Sequence, residues 1–296
     1  MEIRTLRAFV EVIRQGGFSQ AARTVFITQS AVSKAVRQLE EELGFELIDR
    51  AGHKVALTDA GEIVFRRAQT MLTQREDLLT ELSELRGLRR GRLQLGLPPI
   101  GSDALFAPLF AIYRSRHPEV EIQLVEHGSR KLEELVMTGE VELGASLLPV
   151  PDRFEWQEVT REPLHVLIPQ DHPLARQEGV ALHDLQSMPF VLFDVGFALN
   201  PIILDACREA GFDPVIAARS GQINFIVELV GAGLGIGFLP RMIAERRVRP
   251  GVTHIPVHSP QMDWHMAWVW RRGGYLSFAA KAWLELARSA NIPPTP

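Results

Sequence analysis

One cysteine, Cys207, stands in 296 residues. An intrachain disulfide and a thiolate-ligated zinc centre both need more than one, so both are excluded. A lone thiol leaves redox sensing only to an intermolecular bond or a small-molecule adduct. Positive charge is also scarce: 32 Lys and Arg stand against 36 Asp and Glu, for a net charge of −4. Affinity for nucleic acid therefore has to be local, on a basic patch. No apolar run approaches the ~20 residues that span a bilayer. The opening residues, MEIRTLRAFVEVIRQGG, have no signal-peptide apolar region and no cleavage motif. A cytoplasmic protein without membrane contact is expected. His117, His165, His172, His183 and His265 have no HExxH or i, i+4 spacing, and no GxSxG elbow or convincing acid/base constellation occurs. The expectation is no enzyme, no metal and no cofactor.

What is present begins with FSQAARTVFITQSAVSKAVRQLEEEL, residues 18–43. Leu6, Phe9, Val10 and Ile13 before it recur at helical spacing, and Gly16-Gly17 end that helix. Ser19 is positioned to cap a second helix and Thr28 a third, whose apolar face carries Val32, Val36, Leu39 and Leu43 before Gly44 stops it. Two helices joined by a tight turn (about 18–37) form a helix-turn-helix. The polar face of its second helix, with Thr28, Gln29, Ser30, Ser33, Lys34 and Arg37, suits the major groove. Gln pairs with adenine, Lys or Arg reaches guanine or phosphate, and Ser and Thr more often meet phosphate or cap the helix. LIDRAGHKVALT (47–58) reads as a hairpin wing, with Arg50, His53 and Lys54 as phosphate contacts; a salt bridge of Arg50 to Glu46 or Asp49 is the rival reading. Thr58 then caps a helix over 59–88. Its apolar side (Ala60, Ile63, Val64, Ala68, Met71, Leu72, Leu78, Leu79, Leu82, Leu85) looks too long for the preceding residues to cover, so a partner helix and a dimer are expected.

From Arg92 the pattern alternates strand and helix: RLQLGL, a helix at 103–116, EIQLVEH, a helix at 129–138, ELGASLL. HVLIPQDHPLA begins a second such unit, continuing through FVLFD, helices near 200–210 and 222–232, VIAARS, IGFLP, HMAWVW and a closing helix at 276–290. Two α/β lobes with a cleft between them follow. Ligands in such folds bind beyond the carboxyl ends of strands and at helix N-termini. The cleft candidates are Pro99, Ile100, Gly101, Ser102, Ser129 and Ser146 from the first lobe, and Gly196, Phe197, Gln222 and Asn224 from the second. For each serine, a cap or turn role is the alternative. No arginine clamp is evident, so the expected effector is a small, modestly polar molecule or a carboxylate held by helix N-termini. The glycines of VGAGLGIGFLP follow a helix and precede a strand, the reverse of a dinucleotide loop, and read as packing positions.

The blocks LRAFVEVIRQGGFSQAA, TQSAVSKAVRQLEEELGFELIDR and ALTDAGE resemble the LysR-type transcriptional regulators, and the likeness runs to the C-terminal helix. One departure is His53, where a second arginine is usual. The resemblance implies a winged helix-turn-helix at 1–58, a dimerisation linker helix and hinge at 59–91, and a two-lobed effector-binding domain of the type 2 periplasmic-binding-protein kind at 92–296. Lobe I would take 92–162 and 266–296, and lobe II 163–265. It further implies double-stranded promoter DNA with an inverted repeat, a dimer of dimers, RNA polymerase as a partner, and an effector in the cleft. Two rival classes are a solute-binding protein or enzyme, and a non-specific architectural DNA binder.

Overall fold

The computed structural model describes residues 1–49, 55–85, 91–247, 249–259 and 262–290. The chain forms two compact units, Met1–Gly87 and Leu88–Pro296.

In the first unit, α1 (Ile3–Arg14) buries Leu6, Phe9, Val10 and Val12. It gives way at Gly16, whose φ is +68°. The next helix, α2 (Phe18–Thr24), contributes Ala21 and Ala22, small enough for close approach. Its cap position is Gly17, and Ser19 lies inside its first turn, so the expected Ser19 cap is not formed. α3 (Gln29–Leu43) starts at Thr28, whose Oγ1 accepts from the Ala31 amide at 3.2 Å. Gly44, left-handed at φ +72°, ends it. The Glu40 carboxylate accepts from the Leu47 amide at 2.9 Å and ties α3 to the following strand. Strands β1 (Ile48–Asp49) and β2 (Ala56–Leu57) pair antiparallel.

The Thr58 hydroxyl accepts from Gly61 N at 3.0 Å and opens α4 (Asp59–Leu85). Its 27 residues make a rod of roughly 40 Å. Gly61 is required there: a Cβ would stand 2.0 Å from the Leu47 carbonyl oxygen. The apolar side of α4 divides. Ala60, Val64, Phe65, Ala68 and Leu72 pack on the core of α1–α3, with Phe65 edge-on to Phe9 at 6.3 Å. Ile63, Met71, Leu78, Leu79 and Leu82 stay exposed. The preceding helices thus cover much of a stripe that the sequence assigned wholly to a partner, because α1 lies along α4 and is pinned by Arg7–Glu76 at 2.8 Å.

The second unit is built on an eight-stranded sheet. β3 (Arg92–Leu97) pairs parallel with β4 (Glu121–Glu126) and β5 (Leu143–Leu147). Helices α5 (Ser102–Leu105), α6 (Ala107–Arg116) and α7 (Ser129–Thr138) connect them. The single helix expected at 103–116 is broken at Phe106. β6 runs 16 residues, Phe154–Pro169. Strands β8 (Phe190–Phe193) and β9 (Ile216–Ser220) pair parallel beside α8 (Leu199–Glu209) and α9 (Ile223–Gly231), after the short strand β7 (Val180–Ala181). β10 (Gly237–Pro240), α10 (Arg241–Arg247), β11 (Val252–His258), β12 (Asp263–Arg271) and α11 (Phe278–Ser289) complete the unit. The first part of β6 pairs with β12, and its last residues pair with β10 and β11. One strand therefore serves both lobes. Gly235 sits where a Cβ would be 2.3 Å from the Pro189 carbonyl oxygen, so the glycine run packs a turn against a strand end. No helix among the described residues is long and apolar enough to cross a membrane.

Candidate DNA-binding face and effector cleft

On α3 the buried residues Val32, Ala35, Val36 and Leu39 occupy one side. At 100° per residue, Ser30, Lys34 and Arg37 fall on the opposite arc, with Ser33 on its flank and Gln29 at the helix entrance beside Val36's column. Gln29, Ser30, Lys34 and Arg37 are exposed and Ser33 is half-buried. Lys34 and Arg37 form no ion pair with any described residue, so both charges remain available to a phosphate or a base edge. The Thr28 and Ser30 hydroxyls share a hydrogen bond of 3.0 Å and fix the entrance of the helix. Ser19 is exposed on α2. Arg50, His53 and Lys54 lie outside the described residues.

Phe26 was not among the residues expected at this face. It sits in the turn between α2 and α3, 93% exposed, with φ +56°. A left-handed backbone costs a residue with a Cβ about 1–2 kcal/mol. An aromatic at the turn of a helix-turn-helix was a signal available in the sequence.

In the second unit the loop after β3 carries Pro99, half-buried, and Ile100, buried. Gly101 has φ +85°, and a Cβ there would stand 2.6 Å from the Trp264 ring, so only glycine fits against this indole. The Ser102 hydroxyl donates to the Pro98 carbonyl, the turn role given above as its alternative. Ser129 begins α7 after Gly128 and is buried. Ser146 is fully buried and its hydroxyl donates to Glu133 at 2.7 Å, one layer behind the surface.

From the other lobe, the Gly196 carbonyl accepts from Arg130 N at 3.4 Å. A Cβ on Gly128 would stand 3.0 Å from that same oxygen. The structure thus brings Gly128–Arg130 against Gly196–Phe197, and Phe197 stacks on Phe193 at 5.2 Å. Gln222 is exposed at the cap position of α9. Asn224 Oδ1 accepts from Arg247 Nη1 at 2.7 Å, and Arg247 Nη2 donates to Asp103 Oδ2 at 2.7 Å. Arg247 therefore joins the candidate segments at Asn224 and Asp103, where the sequence shows no arginine clamp. It was hidden because α10 is only seven residues long and RRVR reads as a solvated run.

Two further groups sit within the second unit. His165, on β6, and His254, on β11, face each other with Nδ1 atoms 2.9 Å apart. Burial, then the charges of His254 and Arg241, push His165 down from 6.5 to about 4. Cys207 is buried, and burial first, with Asp213, pushes its thiol up to about 11. Almost none of it is thiolate at neutral pH. Among the described residues no group of three His, Cys, Asp or Glu could hold a metal.

Residues 3–62 match the family model described as bacterial regulatory helix-turn-helix protein, lysR family, and residues 86–291 match the LysR substrate binding domain. The chain is 38% identical over 290 residues to the uncharacterized HTH-type transcriptional regulator YwbI of Bacillus subtilis, covering 98% of this chain and 96% of the relative. It is 32% identical over 267 residues to the transcriptional dual regulator GltC of the same organism, covering 88% of each. Full-length OxyR from Pseudomonas aeruginosa shares the fold with a TM-score of 0.76 at 24% identity, over 99% of this chain and 96% of that one. CbnR in complex with its target DNA shares it with a TM-score of 0.63 at 20% identity, over 98% and 99%. With an N-terminal helix-turn-helix and a two-lobed effector-binding domain, the chain belongs to the LysR family of transcriptional regulators.

Proposed function

We propose that this regulator acts in the cytoplasm as a paired reader of an inverted repeat, under control of a small molecule in the inter-lobe cleft. The carrying observation is the polar arc of α3, with Lys34 and Arg37 unpaired among the described residues and Gln29 at its exposed entrance. Gln29, Ser33, Lys34 and Arg37 face the major groove. Ser19, Thr28 and Ser30, with wing residues Arg50, His53 and Lys54, take phosphates. The exposed stripe Ile63, Met71, Leu78, Leu79 and Leu82 of α4 supports pairing of two copies. A protein two-fold then imposes an inverted repeat on the site. We assign residues 1–58 to DNA, 59–91 to pairing and hinge, and 92–296 to the effector, with lobes 92–162 plus 266–296 and 163–265. Two such dimers form a tetramer that bends the promoter toward RNA polymerase. No catalytic step is assigned.

Effector contacts are assigned to Pro99, Ile100, Gly101, Ser102, Ser129, Gly196, Phe197, Gln222 and Asn224, with Ser146 backing them through Glu133. A ligand shifts the lobes only by its differential affinity for their arrangements. Gln29→Ala tests the reader. It should alter which bases are preferred at a half-site while leaving the salt dependence of binding unchanged. Uniform weakening on all sequences would remove Gln29 from base readout.

A further inference from the structure

Arg247 ends α10 and reaches across the cleft. One guanidinium nitrogen is held by Asn224 in the first turn of α9, on its own lobe, at 2.7 Å. The other donates at 2.7 Å to Asp103, 144 residues away at the start of α5 on the opposite lobe. Asp103 is oriented in turn by the Ala104 amide, which donates to its Oδ1 at 2.9 Å. Three helices from two lobes therefore converge on one guanidinium.

The chemistry of the group matters here. Guanidinium presents donors in a rigid fork that matches a carboxylate, and it does not lose its charge. Asn224 fixes the fork's direction, so the position occupied by the Asp103 carboxylate is a ready-made carboxylate site. The pair is also exchangeable. The Asp103 side chain is 62% exposed and that of Arg247 29%. Exposed pairs of this kind contribute little to stability, so a competing anion displaces one readily. Arg130 N to the Gly196 carbonyl also joins the lobes, through uncharged backbone atoms, and the charged pairs Arg241–Glu162 and Arg161–Asp263 join them where β6 passes from one to the other.

We propose that Arg247 is the carboxylate-binding residue of the cleft, and that Asp103 and the carboxylate of a small-molecule effector compete for it. Exchange of Asp103 for the ligand releases the charged link between α5 and α10 and leaves Arg247 and Asn224 on the ligand. Effector occupancy and the inter-lobe link thereby become alternatives. This rests on the reading of the cleft as the effector site, and it names the ligand class: a small anion with at least one carboxylate.

The test uses the full chain and acetate as the probe, with acetamide as the uncharged control at matched ionic strength. All five tryptophans lie in the second unit, and the Trp264 ring lies against Gly101 in the loop leading to Asp103. Intrinsic fluorescence therefore reports binding. If Arg247 is free of Asp103 in about one molecule in ten, Asp103→Asn removes the competitor and tightens acetate binding about tenfold. Arg247→Gln loses saturable binding, Arg247→Lys weakens it about tenfold or more because the fork is gone, and acetamide gives no response. The proposal is overturned if Asp103→Asn binds acetate no tighter than the parent or not at all. Arg247→Gln binding as the parent does, or acetamide matching acetate, overturns it equally. Failure of the effector-cleft reading looks different. Acetate would then bind through Arg247 as described, yet leave the affinity for a selected DNA site unchanged.

Discussion

Replacing His165 by glutamine should make the second unit markedly less sensitive to acid. His165 is 6% exposed on β6 and meets His254 Nδ1 to Nδ1 at 2.9 Å. One of these atoms must carry a hydrogen and the other must accept it, so the contact requires at least one neutral ring. Burial depresses His165 from 6.5 to about 4, with the charges of His254 and Arg241 adding to the effect. His254 is lowered too, by burial, against an opposing contribution from Glu245. A depressed folded value means that the unfolded chain binds the proton more readily. The resulting stability is fully present above pH 6.5 and is lost as pH falls toward 4. Between pH 8 and pH 5 linkage gives about 2 kcal/mol for His165 alone. Urea unfolding followed by tryptophan fluorescence isolates the second unit, since Trp156, Trp264, Trp268, Trp270 and Trp283 all belong to it. The loss of unfolding free energy from pH 8 to pH 5 should be about 2 kcal/mol larger in the parent than in His165→Gln. Carboxylate titration is common to both proteins and cancels. Equal losses would refute the account of the pair as a buried neutral contact.

Two further outcomes concern the first unit. Thr28→Ala removes the cap of α3 and should cost about 1 kcal/mol of its stability, read by the helical circular dichroism melt. Leu78→Glu with Leu82→Glu places charges on the exposed stripe of α4 and should convert the paired protein to monomers in light scattering, without lowering the melting temperature of the second unit. Unchanged mass would remove α4 from the interface.

The DNA-binding unit was legible in the sequence because its signals are short-range. Thr28 and Gly44 bracket α3, and the spacing of Val32, Val36 and Leu39 fixes its buried face. Ser19 misled because a serine near a helix start resembles a cap, whereas the chain enters α2 through Gly17. The division of the α4 stripe depends on α1 lying against it, a tertiary fact that periodicity does not carry. The strand over 165–169 was visible as an apolar run, but its first part was not. Residues 154–162 include Glu155, Gln157, Glu158, Arg161 and Glu162 and alternate with partly exposed positions, so hydrogen bonding to β12 holds a strand that composition hides. Strand and helix ends point to Ser102, Asn224 and the Gly196–Phe197 loop, and the structure sets Asn224 on Arg247 and Gly196 on Arg130. They do not point to Arg247, because its partner Asp103 is 144 residues distant. The contact of Arg247 with Asn224 and Asp103 is made by the fold alone.

The central claim is that this chain reads a specific DNA sequence as a symmetric pair. Selection of bound duplexes from a random double-stranded pool by the full-length protein, at physiological salt, tests it most directly. The account predicts enrichment of two inverted half-sites at fixed spacing, with a different half-site enriched by Gln29→Ala. Recovery of sequences no different from the starting pool, bound equally well by parent and variant, would contradict it.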